Sequence, residues 1–379
     1  MDLIIGIFIG LFVLVILVVL HEFGHAIVAR RNGVVVEEFG IGFPPRAWSK
    51  KLKNGLIFSL NWLPLGGFVK LKGEHDAANK KGDFGAATFW QKTKILFAGV
   101  LANWVVAVIL LSGLAVVGLP KIIPDQFSIA SDTVTIDEPV QLGSLADNYP
   151  AAKAGLQSGD KILSMAGEPI ETSQEVIDIS KENRGKTVEV VYERDGKETE
   201  VQVALRDADS AVFGSTLGQS QKIKATWSAP IVGVVTTAQY TWVTLQGLGN
   251  LAANFFGGLF MQLSPNDTTR QQGSENLDEA SNSVAGPVGI LGTIFPAAGK
   301  GGIADVIFLT AIISLTLAVM NVLPIPALDG GSWFLMALFR IIRKPLTPDL
   351  EEKIKGVGFL ILMGLVILVT FGDVAKLFS

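Results

Sequence analysis

Five consecutive residues, His21-Glu22-Phe23-Gly24-His25, carry the strongest chemical signal in the chain. Four residues along an α-helix turn through about 400°, so the two imidazoles point the same way and can grip one ion, with Glu22 beside them. The 379 residues contain three His, at 21, 25 and 75, and no Cys. Thiolate zinc sites, iron–sulfur clusters, disulfides and cysteine nucleophiles are therefore excluded, and two of the three histidines belong to one motif. Hydrolytic zinc needs three protein ligands and an open position. The continuation Ala26-Ile27-Val28-Ala29-Arg30-Arg31 lacks the third histidine of HExxHxxGxxH. Glu37 and Glu38 follow His25 closely, in a glycine-rich apolar stretch of strand character, and His75 sits in a polar loop with Gly73, Glu74 and Asp76. The better third ligand is distant: Asp329, the one carboxylate in Asn321-Val322-Leu323-Pro324-Ile325-Pro326-Ala327-Leu328-Asp329-Gly330-Gly331. Two prolines and two glycines break the helical ladder there, and broken backbone at membrane depth is tolerated only where it is buried in protein or lines a wet cavity. An exposed Asp in a turn is the plain alternative.

Apolar segments must position these groups. With 49% hydrophobic and 17% charged residues and a mean hydropathy of +0.45, the chain is too apolar for an ordinary soluble enzyme. Four runs approach the roughly 20 apolar residues that cross a bilayer: 3–20, 95–119, 306–323 and 357–371. The first has Asp2 where a signal peptide has basic residues, and is followed by His21-Glu22 in place of a cleavage site, so it is expected to stay as a helix. Residues 229–263, rich in Gly, Thr, Gln, Asn and aromatics, read as an amphipathic helix on the membrane surface. Residues 30–94 hold 12 basic and 5 acidic side chains and residues 340–355 hold 5 and 3, whereas residues 120–302 hold 13 and 22. By the positive-inside rule both basic loops are cytoplasmic, while the acidic insert and both termini lie outside.

These residues identify the chain as resembling the site-2 protease family of intramembrane zinc metalloproteases, in particular its bacterial regulator-of-sigma-E protease type. The resemblance is carried by HEFGH at 21–25, PLGGFVKLKG at 64–73, AGVLAN at 98–103, GPVGI at 286–290 and NVLPIPALDGG at 321–331. It implies one zinc per chain held by His21, His25 and Asp329, with Glu22 as the catalytic acid/base that takes a proton from the attacking water. It also implies regulated intramembrane proteolysis in a bacterial inner membrane, acting on single-span membrane proteins such as stress-signalling proteins or remnant signal peptides. No nucleic acid is expected as a partner.

The expected fold is an α-helical polytopic membrane protein with four transmembrane helices, a membrane-associated β-hairpin region and an inserted extracytoplasmic PDZ (α+β) domain. Its expected parts are an N-terminal membrane half (1–119, with the hairpin at about 45–73), a PDZ domain (127–207), an amphipathic helix with a polar, mobile linker (208–302, the linker at 264–283) and a C-terminal membrane half (303–379). Asn54-Gly55 is a strong hairpin signal, followed by apolar Leu56, Phe58, Leu60 and Trp62. This hairpin either packs a small core of its own or, as the resemblance implies, re-enters the membrane beside the site. Its edge would then pair with unwound substrate, making Gly66, Gly67, Phe68 and Lys70 candidate substrate contacts. Asn103 and Asn321, polar groups within spans, are candidates for positioning substrate or supporting the site. In the insert, Ala151 to Leu163 followed by Gly167-Glu168-Pro169-Ile170 resembles a PDZ domain, with a helix capped at Thr172 or Ser173 and turns at Arg184-Gly185 and Asp195-Gly196. It would bind a peptide or act as a steric filter for an ectodomain, and only one such domain fits, where the best-known family pattern has two. The competing reading is a non-catalytic PDZ membrane scaffold, for which an intact HExxH and LDG pair has no use.

Overall fold

The computed structural model describes residues 3–75, 77–194 and 196–378. Asp2, Asp76 and Asp195, the last from one of the expected turns, lie outside the described residues. The chain packs as two compact units, Met1–Ser112 with Gly233–Ser379, and Gly113–Val232.

The first unit begins with α1 (Leu3–Arg31), whose last turn carries Arg30 and Arg31, favourable against the negative end of the helix dipole. It stops at Gly33, whose φ of +81° continues no right-handed helix. Two long strands follow, β1 (Val36–Lys51) and β2 (Ile57–Leu71). The hairpin thus opens at Val36, earlier than residue 45, because residues 36–41 find a partner at 67–71 while residues 46–51 pair with 57–61. The turn expected at Asn54-Gly55 is present: Gly55 has φ +86° and the Asn54 side chain accepts from Leu56 N. Helix α2 (Phe89–Val117) closes this part. Ala26, Val36, Phe39, Phe84, Ile95 and Met336 share one buried cluster, so α1, α2 and the strands are fixed to one another.

In the second unit, β3 (Leu119–Lys121) and β4 (Val134–Asp137) form a small sheet with a later strand, and β5 (Val140–Leu145) opens the insert's main sheet. Then come α3 (Pro150–Lys153), β6 (Lys161–Met165), β7 (Glu168–Pro169), α4 (Ser173–Glu182), β8 (Thr187–Arg194), β9 (Lys197–Ala204), β10 (Ser215–Gly218) and β11 (Gln221–Lys224). The main sheet has the order β10-β5-β6-β8-β9 and closes over Val140, Leu142, Ile162, Met165, Val176, Val190 and Val203. Thr172 caps α4 in a full capping box with Glu175, as its sequence position suggests. The sheet takes in 215–218, past the expected end at 207, because Val212 and Phe213 are buried in its core and β10 pairs with β5. Conversely, Val134 and Ile136 belong to the three-stranded sheet β3-β11-β4.

Helix α5 (Ala229–Gln262) carries no charged residue along its 34 residues. Its early turns do not lie across a surface as expected. An added Cβ at Gly233 would strike Ser112, and Trp104 Nε1 donates to Thr241 Oγ1 at 3.2 Å, so α5 runs antiparallel along α2 there. Residues 264–283, expected as a mobile linker, are mostly helical: α6 (Asp267–Asn282) is capped by Asn266 and packs on α5 where Gly258 and Gly273 allow backbone contact. Composition showed few apolar residues, and few are needed where two glycines let the backbones touch and Leu277 packs over Gly258. Short α7 (Pro287–Gly289), a π-helical turn at Ile290–Ile294 and α8 (Phe295–Gly301) lead to α9 (Ile303–Val322), α10 (Asp329–Ile341) and α11 (Pro348–Phe378). Among the described residues, α1, α2, α9 and the 348–375 part of α11 are the four helices long and apolar enough to span a membrane, matching the four runs.

Candidate metal centre

Helix α1 places His21 and His25 on one face, both buried, with ring centroids 4.8 Å apart. Close approach of α2 makes this a confined space. At Gly24 an added Cβ would lie 2.5 Å from Ala98 O, and at Gly99 it would lie 2.7 Å from His21 Nε2 and closer still to His25 Nε2. His25 Nδ1 lies 2.7 Å from Ile95 O. A carbonyl only accepts, so this nitrogen carries the proton, and in the neutral ring Nε2 is the nitrogen left to bind a metal.

The third member comes from the interrupted segment between α9 and α10. Asp329 is the first residue of α10, where free backbone N–H groups favour a carboxylate. Gly330 and Gly331 lie where any Cβ would run into the backbone of Val322 and Ile325, so the chain can double back here only with glycine. Trp333 Nε1 donates to Thr93 Oγ1 at 3.0 Å and ties α10 to α2. Asp329 Oδ2 is thereby held 3.0 Å from His21 Nε2 and 3.3 Å from His25 Nε2, and the two nitrogens are 3.1 Å apart. Donors this close fit a cation better than one another: His21, His25 and Asp329 would hold a zinc ion through three protein atoms, the ligand number that leaves a position for water. The donor set, two neutral imidazoles and one carboxylate, suits zinc.

Glu22 is half-buried beside this group and accepts a hydrogen bond from the backbone N–H of Val69 on β2. Gly67 lies against it, a Cβ there coming 3.7 Å from Glu22 Cγ. Asn103 is buried next to His21, with Nδ2 3.5 Å from Nδ1, and its own carbonyl accepts from Ser314 Oγ of α9 at 2.8 Å. The other candidates are engaged elsewhere. Lys70 pairs with Glu37 at 3.4 Å, Phe68 stacks over Gly40, Gly66 faces Phe43, and the Asn321 amide donates to Leu317 O one turn back. Glu38 is held by Arg46 at 2.7 Å and His75 by Glu352 at 3.3 Å, so neither competes with Asp329. Gly99 and the Ile95 carbonyl had no assigned role in the sequence reading. The only sequence signal was Gly99 four residues before Asn103, one helix face with a small residue and an amide.

Buried histidines from the spanning helix α1 and a carboxylate from the start of α10, with a glutamate beside them, define a membrane metallopeptidase. The chain belongs to Peptidase family M50, the site-2 protease family, whose profile matches residues 9–365. It is a zinc metalloendopeptidase. A Clostridium perfringens (strain 13 / Type A) protein provisionally named a zinc metalloprotease is 31% identical, covering 94% of this chain and 95% of its own length. The regulator of sigma-W protease RasP of Bacillus subtilis (strain 168) is 27% identical, covering 96% of each chain. Among solved structures, the PDZ domain of an SdrC-like protein from Listeria monocytogenes is 28% identical, covering 24% of this chain and 93% of that chain, with a TM-score of 0.19.

Proposed function

We propose that the chain cleaves peptide bonds within or near transmembrane segments of single-span membrane proteins, using zinc held by His21, His25 and Asp329. The observation that carries this reading is the convergence of those three donor atoms within 3.0–3.3 Å, across a sequence separation of about 300 residues, beside Glu22. Zinc bound there supplies Lewis-acid polarisation of the scissile carbonyl and lowers the pKa of a coordinated water toward about 7.

Every other part is played by the chain. Glu22 takes the proton from the attacking water and returns it to the leaving amine, and the Val69 N–H fixes the carboxylate for both transfers. Because Ile95 O holds His25 in one tautomer, that ligand needs no rearrangement on binding. Asn103 serves His21 in the same way. Its Oδ1 is buried without a hydrogen-bond partner, and turning the amide half a turn sets that oxygen against His21 Nδ1, where it accepts the proton and leaves Nε2 bare. Residues 67–71 form an outer strand of the hairpin, with Gly67 and Val69 beside Glu22, which suits backbone pairing with an unwound substrate strand. Gly66 and Phe68 shape this strand, and Lys70 and Asn321, which meet Glu37 and Leu317 O, are kept as candidates for substrate contact and site support.

The insert is read as a PDZ domain in which an extended chain end adds to the free edge of β10, above a groove lined by Val176, Ile177, Ser180, Phe213 and Leu217. The charge balance of the loops supports an extracytoplasmic insert and termini, with the metal ligands toward the cytoplasmic face of a bacterial plasma membrane. The test is zinc analysis and cleavage of a transmembrane test peptide by detergent-purified protein. Glu22→Gln is expected to keep zinc and lose cleavage by about 10²-fold or more, and Asp329→Ala to lose zinc. Full zinc occupancy and activity in Asp329→Ala would remove the third-ligand assignment, and activity in Glu22→Gln would sink the mechanism.

A further inference from the structure

The three-stranded sheet β3-β11-β4 leaves two apolar side chains uncovered: Val134 is 61% and Ile136 44% exposed. Scattered exposed apolar residues are common and mean little alone. What distinguishes these is where the strand pairing puts them. Strand β3 starts two residues after α2 ends, and Ala225, just past β11, donates its N–H to Ala115 O in the last turn of α2 at 2.7 Å. That carbonyl is one of the terminal groups that a helix leaves unpaired, so the base of the sheet is fixed at the end of a membrane-spanning helix.

Register then sets the level of each residue. Leu119 is level with Ile223 and Thr135, Pro120 with Lys222 and Ile136, and Lys121 with Gln221 and Asp137. Val134 pairs with Lys224, one step nearer the helix, level with Gly118. Two residues of strand rise about 7 Å, and the headgroup layer of one leaflet is roughly 5–8 Å thick. Measured along a bilayer that α2 spans, this register would put the apolar residues of β4 at the hydrocarbon boundary and among the headgroups, with Asp137 and the following Glu138 beyond them. Trp227, two residues past the Ala225 anchor and 64% exposed, would stand near the same boundary, where indoles are favoured. Lys224, exposed and opposite Val134, shares the β4 face with the two apolar residues and would bring an ammonium group to phosphate level, while Lys222, opposite Ile136, is held by Glu138 at 2.9 Å.

We propose that this face of the sheet is a bilayer contact: Val134, Ile136 and Trp227 enter the lipid interface, with Lys224 on headgroup phosphates, so that the sheet is a membrane-seated foot for the insert. The proposal rests on α2 spanning the bilayer and is independent of which side the insert occupies. The absence of native Cys allows single labels. Ile136→Cys and Val134→Cys are labelled with an environment-sensitive fluorophore in nanodiscs of equal parts phosphatidylcholine and phosphatidylglycerol, with Ile109→Cys, exposed on α2, and Lys197→Cys, exposed on β9, as lipid and water references. Nitroxide-bearing lipids should remove half or more of the emission at 109, 134 and 136 while iodide quenches only 197. If 109 is quenched by lipid but 134 and 136 respond to iodide like 197, the sheet faces water or protein and the proposal fails alone. If 109 is not quenched by lipid either, the spanning assignment of α2 falls and takes this one with it.

Discussion

Gly99→Ala should disable the metal centre although it adds one methyl group, at a helix position where alanine is intrinsically preferred by about 1 kcal/mol. The new Cβ would lie 2.7 Å from His21 Nε2 and nearer to His25 Nε2, whereas ordinary contact begins at 3.4 Å. An imidazole or the helix must therefore give way by about 0.7 Å or more, and zinc–ligand distances tolerate only about 0.2 Å. Neither ring has an easy retreat. His25 is held by Ile95 O, and the turn below His21 is pressed on Ala98 through Gly24. The expected loss of zinc affinity is at least the roughly 10–100-fold seen when groups behind a ligand are disturbed, or about 1.4–2.8 kcal/mol. Competition against a chelator reads the affinity, with peptide cleavage measured alongside. Gly113→Ala, on the same helix with nothing within 4 Å of the added carbon, is the control and should leave both unchanged. A Gly99→Ala protein that holds zinc as tightly as the parent and cleaves normally would show that α2 does not confine the histidines as described.

Asn103→Ala should weaken zinc binding about 10–100-fold by freeing the His21 tautomer, while Asn103→Asp, which can still accept the Nδ1 proton, should recover most of it; chelator competition separates these, and equal losses would refute the acceptor role. Asp132 accepts from Thr226 N at 2.9 Å and Ser228 N at 3.0 Å. Desolvation pushes its carboxyl up, but hydrogen bonds from Ser228 and Thr226 outweigh this and hold it below the usual carboxylate range. Its stabilising effect is thus complete above about pH 4 and lost as pH falls through the lowered folded value; Asp132→Asn should flatten that acid limb of a thermal-unfolding series. Thr172→Ala removes half of the capping box of α4 and should cost about 0.5–2 kcal/mol, read as a lower denaturation midpoint of the insert in the full chain. Arg194→Ala strands Asp160, which is 1% exposed and accepts from Arg194 Nε and Nη2 at 2.6 Å; about 3–5 kcal/mol of destabilisation is expected, with zinc content unchanged.

The centre was legible where its signal is local. HExxH encodes its geometry in the helical period, so His21, Glu22 and His25 needed no tertiary information. The LDG segment was legible by contrast, as proline, glycine and a carboxylate in an otherwise apolar run. The hairpin turn at Asn54-Gly55 and the Thr172 cap were read from the residues that those conformations demand. What escaped was packing without side-chain chemistry. Gly258 and Gly273 allow the α5–α6 contact, and nothing in the polar composition of 264–283 announces it. Lys70, expected on the hairpin edge, pairs with Glu37, and Asn321, expected as a polar group within a span, donates to its own helix, partners that neither motif announces.

By itself the sequence determined that this is a membrane protein with four apolar spans, a paired-histidine metal motif with an adjacent base, and no thiol chemistry, because each follows from composition or from spacing within one element. Only the tertiary structure brings the Asp329 carboxylate within 3.3 Å of both imidazoles, sets Ile95 O and Asn103 beside the two histidines and the Val69 N–H against Glu22, and shows that Gly99 leaves the space they occupy. Contacts between residues 21 and 329 have no period to betray them. They exist because α1, α2 and α10 are packed close enough for glycine and nothing larger to stand between them.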